Sequence, residues 1–186
     1  MNIAILSASV RRGRNSHRVT LYLKQYILDH NIGTVDVIDL AACNFPLFDE
    51  RLQYMPEPSE GVLDFQRRIN AADGVIIVTP EYNGGYPASL KNVIDLLYKE
   101  WKRKPIAIAS VSDGPYAGTQ VVTSLAFSLW KIGALLVPSM FRVANVDDTY
   151  KEDGTVKDKP ATDKFAGRFI DELVWCISAK RKMDEG

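Results

Sequence analysis

Apolar residues along the 186-residue chain gather in five short runs rich in Val and Ile: "NIAILSAS" (2 to 9), "TVDVIDL" (34 to 40), "GVIIVTP" (74 to 80), "PIAIASVS" (105 to 112) and "GALLVP" (133 to 138). Four of the five are continuous rather than alternating, the pattern of strands buried on both faces. Between and after them, apolar residues recur at helical spacing over 16–30, 59–72, 87–101, 117–133 and 161–182. Leu21, Leu28, Phe65, Ile69, Leu90, Val93, Ile94, Leu97, Leu125, Leu129, Phe169, Leu173 and Ile177 form the stripes expected to face the core. Alternation of strand and helix predicts a parallel sheet covered on both faces, because parallel neighbours need long crossovers and helices supply them. The predicted class is α/β, doubly wound, and the length suits one domain over residues 1–186.

Two segments fit neither element. Residues 142–160, "RVANVDDTYKEDGTVKDKP", are charged and poor in apolar side chains, which predicts a solvated excursion before the last helix. Residues 41–58 instead carry Phe45, Leu47, Phe48, Leu52, Tyr54 and Met55. That is too much apolar surface for an idle loop, so the segment is expected to cover a pocket or meet a partner subunit.

Composition narrows the functional classes. Lys plus Arg and Asp plus Glu both number 23, so neither nucleic acid nor an anionic membrane surface is expected as a partner. No apolar run approaches the roughly 18 residues that span a bilayer, and the apolar part of "MNIAILSASVRR" is too short, and on the wrong side of the arginines, for a signal peptide. A cytoplasmic location is the expectation. Cys43 and Cys176 lie far apart with no CxxC or Cys/His cluster, which argues against a disulfide framework or a zinc site.

In open α/β sheets ligands bind beyond the carboxyl ends of the strands, so the loops after strands 1, 3 and 4 carry the candidate chemistry. The first, "SASVRRGRNSHRV", offers hydroxyls, guanidinium groups and backbone N–H groups at a helix start, a natural anion site of the phosphate type. It contains neither GxxxxGK[ST] nor GxGxxG. A capped helix start with solvated arginines is the competing reading. The second, "TPEYNGGYP", combines Pro80 and Pro87, which stiffen its ends, with Gly84 and Gly85, which admit close approach, and Tyr82 and Tyr86, which offer planar faces. This suits a flat heterocycle, although an ordinary tight turn uses the same residues. The third, "SVSDGPYAGTQ", is another Gly-bearing loop, in which Ser112 or Asp113 alternatively caps the next helix. His17 and His30 are the two histidines, both on the first helical segment, where surface or dipole-compensating roles are commoner than catalysis. With no Ser/His/Asp set, no amino-acid side chain is expected to be catalytic, and the loops read as a cofactor site in which the cofactor carries the chemistry.

Ser9, Arg11, Asn15 and Ser16, followed by "FPLFDE" (45 to 50), "TPEYNGGYPASLKNVIDLL" (79 to 97) and "SDGPYAG" (112 to 118), resemble the NADPH-dependent FMN reductase family of flavodoxin-like quinone, azo-dye and chromate reductases. The resemblance runs from residue 2 to about 138. It implies a flavodoxin-like three-layer α/β/α sandwich with strand order 2-1-3-4-5 and FMN at the switch point between strands 1 and 3. It also implies that Ser9, Arg11, Asn15 and Ser16 hold the FMN phosphate. Pro80, Glu81, Tyr82, Asn83 and Gly84 would lie along the isoalloxazine, and Ser112 and Gly114 would meet its pyrimidine edge.

The implied activity passes electrons from NAD(P)H through FMN to a small acceptor, such as a quinone, an azo compound, a metal oxyanion or free flavin. A flavodoxin-like carrier docking to a protein partner is the alternative. Assembly as a homodimer or homotetramer is implied too, with "FPLFDERLQYM" and "LLYKEW" as interface candidates against simple intrachain packing. Ala8 departs from the family, which usually has Gly there, so altered loop detail is expected. Arg12 and Arg14 are extra charges read as solvated, with a nucleotide 2′-phosphate as their other possible partner.

Overall fold

A computed structural model describes residues 1–185. Strands β1 (Asn2–Ser7), β2 (Thr34–Asp39), β3 (Gly74–Pro80), β4 (Pro105–Val111) and β5 (Leu135–Val143) form one sheet in the order 2-1-3-4-5, with every pairing parallel. The helices are α1 (Ser16–Asp29), the short α2 (Leu40–Cys43), α3 (Glu60–Ala71), α4 (Ala88–Leu96), α5 (Thr119–Lys131), the short α6 (Val146–Thr149) and the long α7 (Lys159–Glu185). The order and the two helical layers are those of a flavodoxin-like fold.

Side chains alternate across each strand and feed two cores. Ile3, Ile5, Ile76 and Val78 pack with α1 and α7, whereas Ala4, Leu6, Val75 and Ile77 pack with α3, α4 and α5. In the central strands β1, β3 and β4 both faces are covered, so successive residues are mostly apolar and these strands read as continuous runs. Each fully buried Ile or Leu stabilises the fold by about 1.5–3 kcal/mol relative to exposure.

The structure corrects four sequence expectations. On α1, Leu28 is 43% exposed and Leu21 is half-buried; Val19, Tyr22, Leu23, Tyr26 and Ile27 face the sheet instead. The two tyrosines can be buried because they keep apolar contact around a polar tip: Tyr22 donates to Asp163 at 2.8 Å while its ring stacks on Phe141. Strand β5 does not stop at Pro138 but runs to Val143. Pro138 sits in a register shift on this edge strand, where its missing N–H is tolerated.

The third correction concerns 142–160, which is not simply solvated. Val146 is fully buried, Tyr150 is 5% exposed, and Tyr150 bridges Val156. A Cβ on Gly154 would lie 2.7 Å from Leu21 Cβ and 2.8 Å from Tyr22 N, so glycine lets this excursion press against α1. The fourth concerns α4, which ends at Leu96, followed by a 3-10 turn at Lys99–Trp101. The Trp101 indole is buried there and donates to the Ile94 carbonyl at 3.2 Å.

The 41–58 segment covers the α3/α4 side of the core. Phe45, Phe48, Leu52 and Met55 pack against that core, and the Phe45 ring meets Phe65 edge-on at 5.4 Å. Asn92 on α4 pins the segment from both ends of its amide, accepting from Phe48 N and donating to Pro46 O at 2.8 Å. Leu47 and Tyr54 remain exposed. Of the two interface candidates, "LLYKEW" is largely packed within the chain, with Leu96, Leu97, Glu100 and Trp101 buried, whereas "FPLFDERLQYM" packs Phe45, Phe48, Leu52 and Met55 inward and leaves most of the rest exposed.

Candidate functional site

Loops after β1, β3 and β4 meet at the carboxyl edge of the sheet around a cleft of about 120 Å³. Of the residues singled out in the sequence, Ser9, Arg11, Asn15, Ser16, Pro80, Glu81, Tyr82 and Ser112 line it. Asn83, Gly84 and Gly114 lie on the same loops but outside the cleft lining. Ala8 continues the β1 pairing, donating to Val78 O at 3.0 Å, and its carbonyl accepts from Ser89 of α4 at 2.6 Å, so its methyl is absorbed into the core.

The start of α1 is the most donor-rich part of the cleft. Ser16 is 3% exposed and its hydroxyl has no hydrogen-bond partner. Asn15, at the N-cap, makes no side-chain cap bond, and the first turn carries no acidic residue. The positive end of the helix thus faces the cleft with the Ser16 hydroxyl unpaired, while His17 N and Arg18 N turn back to Arg14 O and Asn15 O. Arg11 is exposed and makes no ion pair among the described residues. Ser9 is already engaged, accepting from Arg11 N at 3.3 Å and pairing with the Tyr82 hydroxyl at 2.8 Å. That hydroxyl pair joins the first loop to the second.

Arg14 is not solvated. It makes a two-pronged ion pair with Asp39 at the end of β2 and donates to Ser9 O at 2.9 Å. Burial pushes the Asp39 carboxyl upward, but the Arg14 hydrogen bonds and the Ala41 N–H outweigh it and hold the group below the usual carboxylate range. The His17 Nδ1 lies 3.0 Å from the Ser7 hydroxyl. Burial, assisted by the Arg14 charge, lowers the imidazole below its ordinary value, which makes it neutral beneath the loop at pH 7.

The loop after β3 is a tight hairpin. Tyr82 N donates to Gly85 O at 2.8 Å and Gly85 N to Tyr82 O at 3.0 Å, with Asn83 at φ 52° and Gly84 at φ 78°. Two consecutive positive φ values mark a type I′ turn, and Asn-Gly is its preferred pair. The Glu81 carboxylate turns away to accept from Gln120 N and Val121 N, at 2.9 and 3.0 Å. It supplies the side-chain cap that Gly118, the N-cap of α5, cannot.

A cleft rich in polar side chains at the switch point between β1 and β3, beside a hairpin, lies where ligands bind on this fold. A family model described as NADPH-dependent FMN reductase matches residues 1–148. The chain belongs to that family. It is an oxidoreductase that depends on FMN and NAD(P)H. It is 34% identical to the NAD(P)H-dependent FMN reductase of Saccharomyces cerevisiae over 64% of this chain and 69% of that one. It is 25% identical to a quinone reductase of Pseudomonas putida over 97% and 96% of the two chains. The solved flavoenzyme NAD(P)H:(acceptor) oxidoreductase FerB from Paracoccus denitrificans superposes with a TM-score of 0.78 at 25% identity, over 96% of this chain and 97% of that chain.

Two residues that shape the cleft, Asp113 and Asp39, have no site role in the sequence reading. Asp113 lines the cleft and accepts from Asn15 Nδ2 at 3.0 Å, tying the third loop to the first. Asp39 reaches the first loop from a different strand, so nothing local announced it. The Asn83-Gly84 pair is itself a hairpin signal, one that the sequence reading passes over in favour of a ligand-facing loop. Ser112 donates to Gly114 O at 2.9 Å, shaping its own loop. Beyond Val10 a second hollow of about 380 Å³ opens at the same edge, walled by Phe45, Leu47, Ala88, Ser89 and Asn92 and carrying no charged side chain.

Proposed function

We propose that the domain formed by residues 1–186 passes electrons from NAD(P)H through bound FMN to a small acceptor, a quinone or an azo compound before a metal oxyanion or free flavin. The uncharged hollow beside the cleft supports that preference, because it favours neutral, partly apolar molecules over oxyanions. The quinone reductase relative supports it as well.

The observation that carries the reading is the unpartnered, buried Ser16 hydroxyl at the amino end of α1. Such a group costs stability unless something outside the chain satisfies it, and a phosphate does so while meeting the helix dipole. The residues fit FMN on this test. Ser16, Asn15, Arg11 and the Ser9 backbone would hold the phosphate, and the Ser9–Tyr82 hydroxyl pair would be shared with it. Pro80, Asn83 and Gly84 would lie along the ring through main chain, while Glu81 fixes that loop to α5. Ser112 and Gly114 would border the pyrimidine edge. When bound, FMN supplies the hydride acceptance and electron release that amino acids lack. The protein contributes fixed donors around the ring and excludes water from its buried side.

The oxidoreductase is further proposed to be cytoplasmic and a homodimer or homotetramer. Phe127 and Trp130, adjacent on the outside of α5 and 64% and 65% exposed, support assembly because such a pair is costly in water. Fluorescence titration with FMN tests the site. Arg11→Ala loses a charge-assisted bond worth about 1.5–3 kcal/mol, so its Kd should rise at least tenfold. An unchanged Kd removes Arg11 from the phosphate site.

A further inference from the structure

The charges around the cleft do not add up to a strong anion site. Arg14 is neutralised by Asp39, Glu81 is committed to α5, and His17 is held neutral by burial. Among the described residues of the cleft lining, that leaves Arg11 as the cation and Asp113 as the anion, neither in an ion pair. Asp113 moreover accepts from Asn15, the N-cap residue of α1, so a carboxylate already occupies one of the donors best placed for a phosphate. An FMN phosphate carries about −1.5 to −2 charges near pH 7. It must share Asn15 with Asp113, or take it, while lying beside a like charge.

We propose that Asp113 is an internal competitor for the phosphate donors and sets how loosely this protein holds FMN. The inference rests on the reading of the cleft as the FMN phosphate site. Asp113 is exposed, so the repulsion is screened and modest, enough to tune affinity without abolishing it.

The test compares FMN with riboflavin, which has the same ring system and no phosphate. Asp113→Asn removes the charge and keeps an acceptor for Asn15. We expect FMN to bind roughly three- to fivefold more tightly to it, with riboflavin unchanged, and the FMN affinity to fall more steeply with added salt. Asp113→Ser, which also removes the charge, should move FMN in the same direction; Arg11→Ala should move it the opposite way. An unchanged or lower preference for FMN over riboflavin in both Asp113 variants overturns the proposal while leaving the cleft assignment intact. A wild-type protein that binds riboflavin as tightly as FMN, or binds neither, overturns the cleft assignment and this inference with it.

Discussion

Replacing Arg14 with alanine removes the donor on the Ser9 carbonyl and leaves the half-buried Asp39 carboxylate with the Ala41 N–H as its remaining partner. Loss of a charged partner of this kind should cost about 1–3 kcal/mol, read as a lower urea midpoint at an unchanged slope. The pH dependence follows from the depressed Asp39 pKa. Its stabilising contribution is present above the unfolded carboxylate value near 3.8 and is lost as pH falls through the lower folded value. Arg14→Ala should therefore flatten the acid limb of the stability profile. For His17 the sign is the same, although the form that folding favours is here the neutral one, because its pKa is also depressed. Its contribution is complete above 6.5 and declines as pH falls below that value toward the folded pKa. An NMR titration should place the His17 midpoint below 6.5. Within the run Arg11-Arg12-Gly13-Arg14 the sequence could not say which arginine is paired, because the deciding carboxylate sits on another strand, 25 residues on.

At the scale of elements, the hairpin after β3 and the amino end of α5 form one mechanical unit through Glu81. Glu81→Ala should destabilise the protein by about 0.5–2 kcal/mol, as removal of a helix cap does. It should also loosen the Tyr82–Gly85 hairpin, seen as faster amide exchange at Gly85, the donor to Tyr82 O. An unchanged exchange rate would uncouple the two elements. Every strand and long helix was legible, because two covered sheet faces demand continuous apolar runs and amphipathic crossovers. What escaped depended on tertiary partners. Pro138 marks an edge-strand irregularity rather than a strand end, and the 142–160 excursion is anchored by Val146, Tyr150 and the small Gly154, against a charged composition that reads as solvent-facing. The family resemblance implies Glu81 beside the ring, but only the fold reveals that its carboxylate caps α5.

For the whole molecule, the same edge of the sheet brings together the cleft proposed for the phosphate, the Tyr82–Gly85 hairpin proposed for the ring and a hollow lined without charged side chains. Order 2-1-3-4-5 creates that edge by diverging the connections of β1 and β3. Light scattering on the purified protein should report two or four copies, and a monomer would assign the exposed Phe127–Trp130 pair another role. The central claim is that this fold is an enzyme with a small-molecule acceptor rather than a carrier relaying electrons to a protein. Steady-state oxidation of NADPH and of NADH by FMN-loaded protein, with a soluble quinone and no partner protein, tests it most directly. The account predicts sustained turnover that saturates in quinone; FMN-loaded protein that oxidises neither nucleotide under these conditions would contradict it.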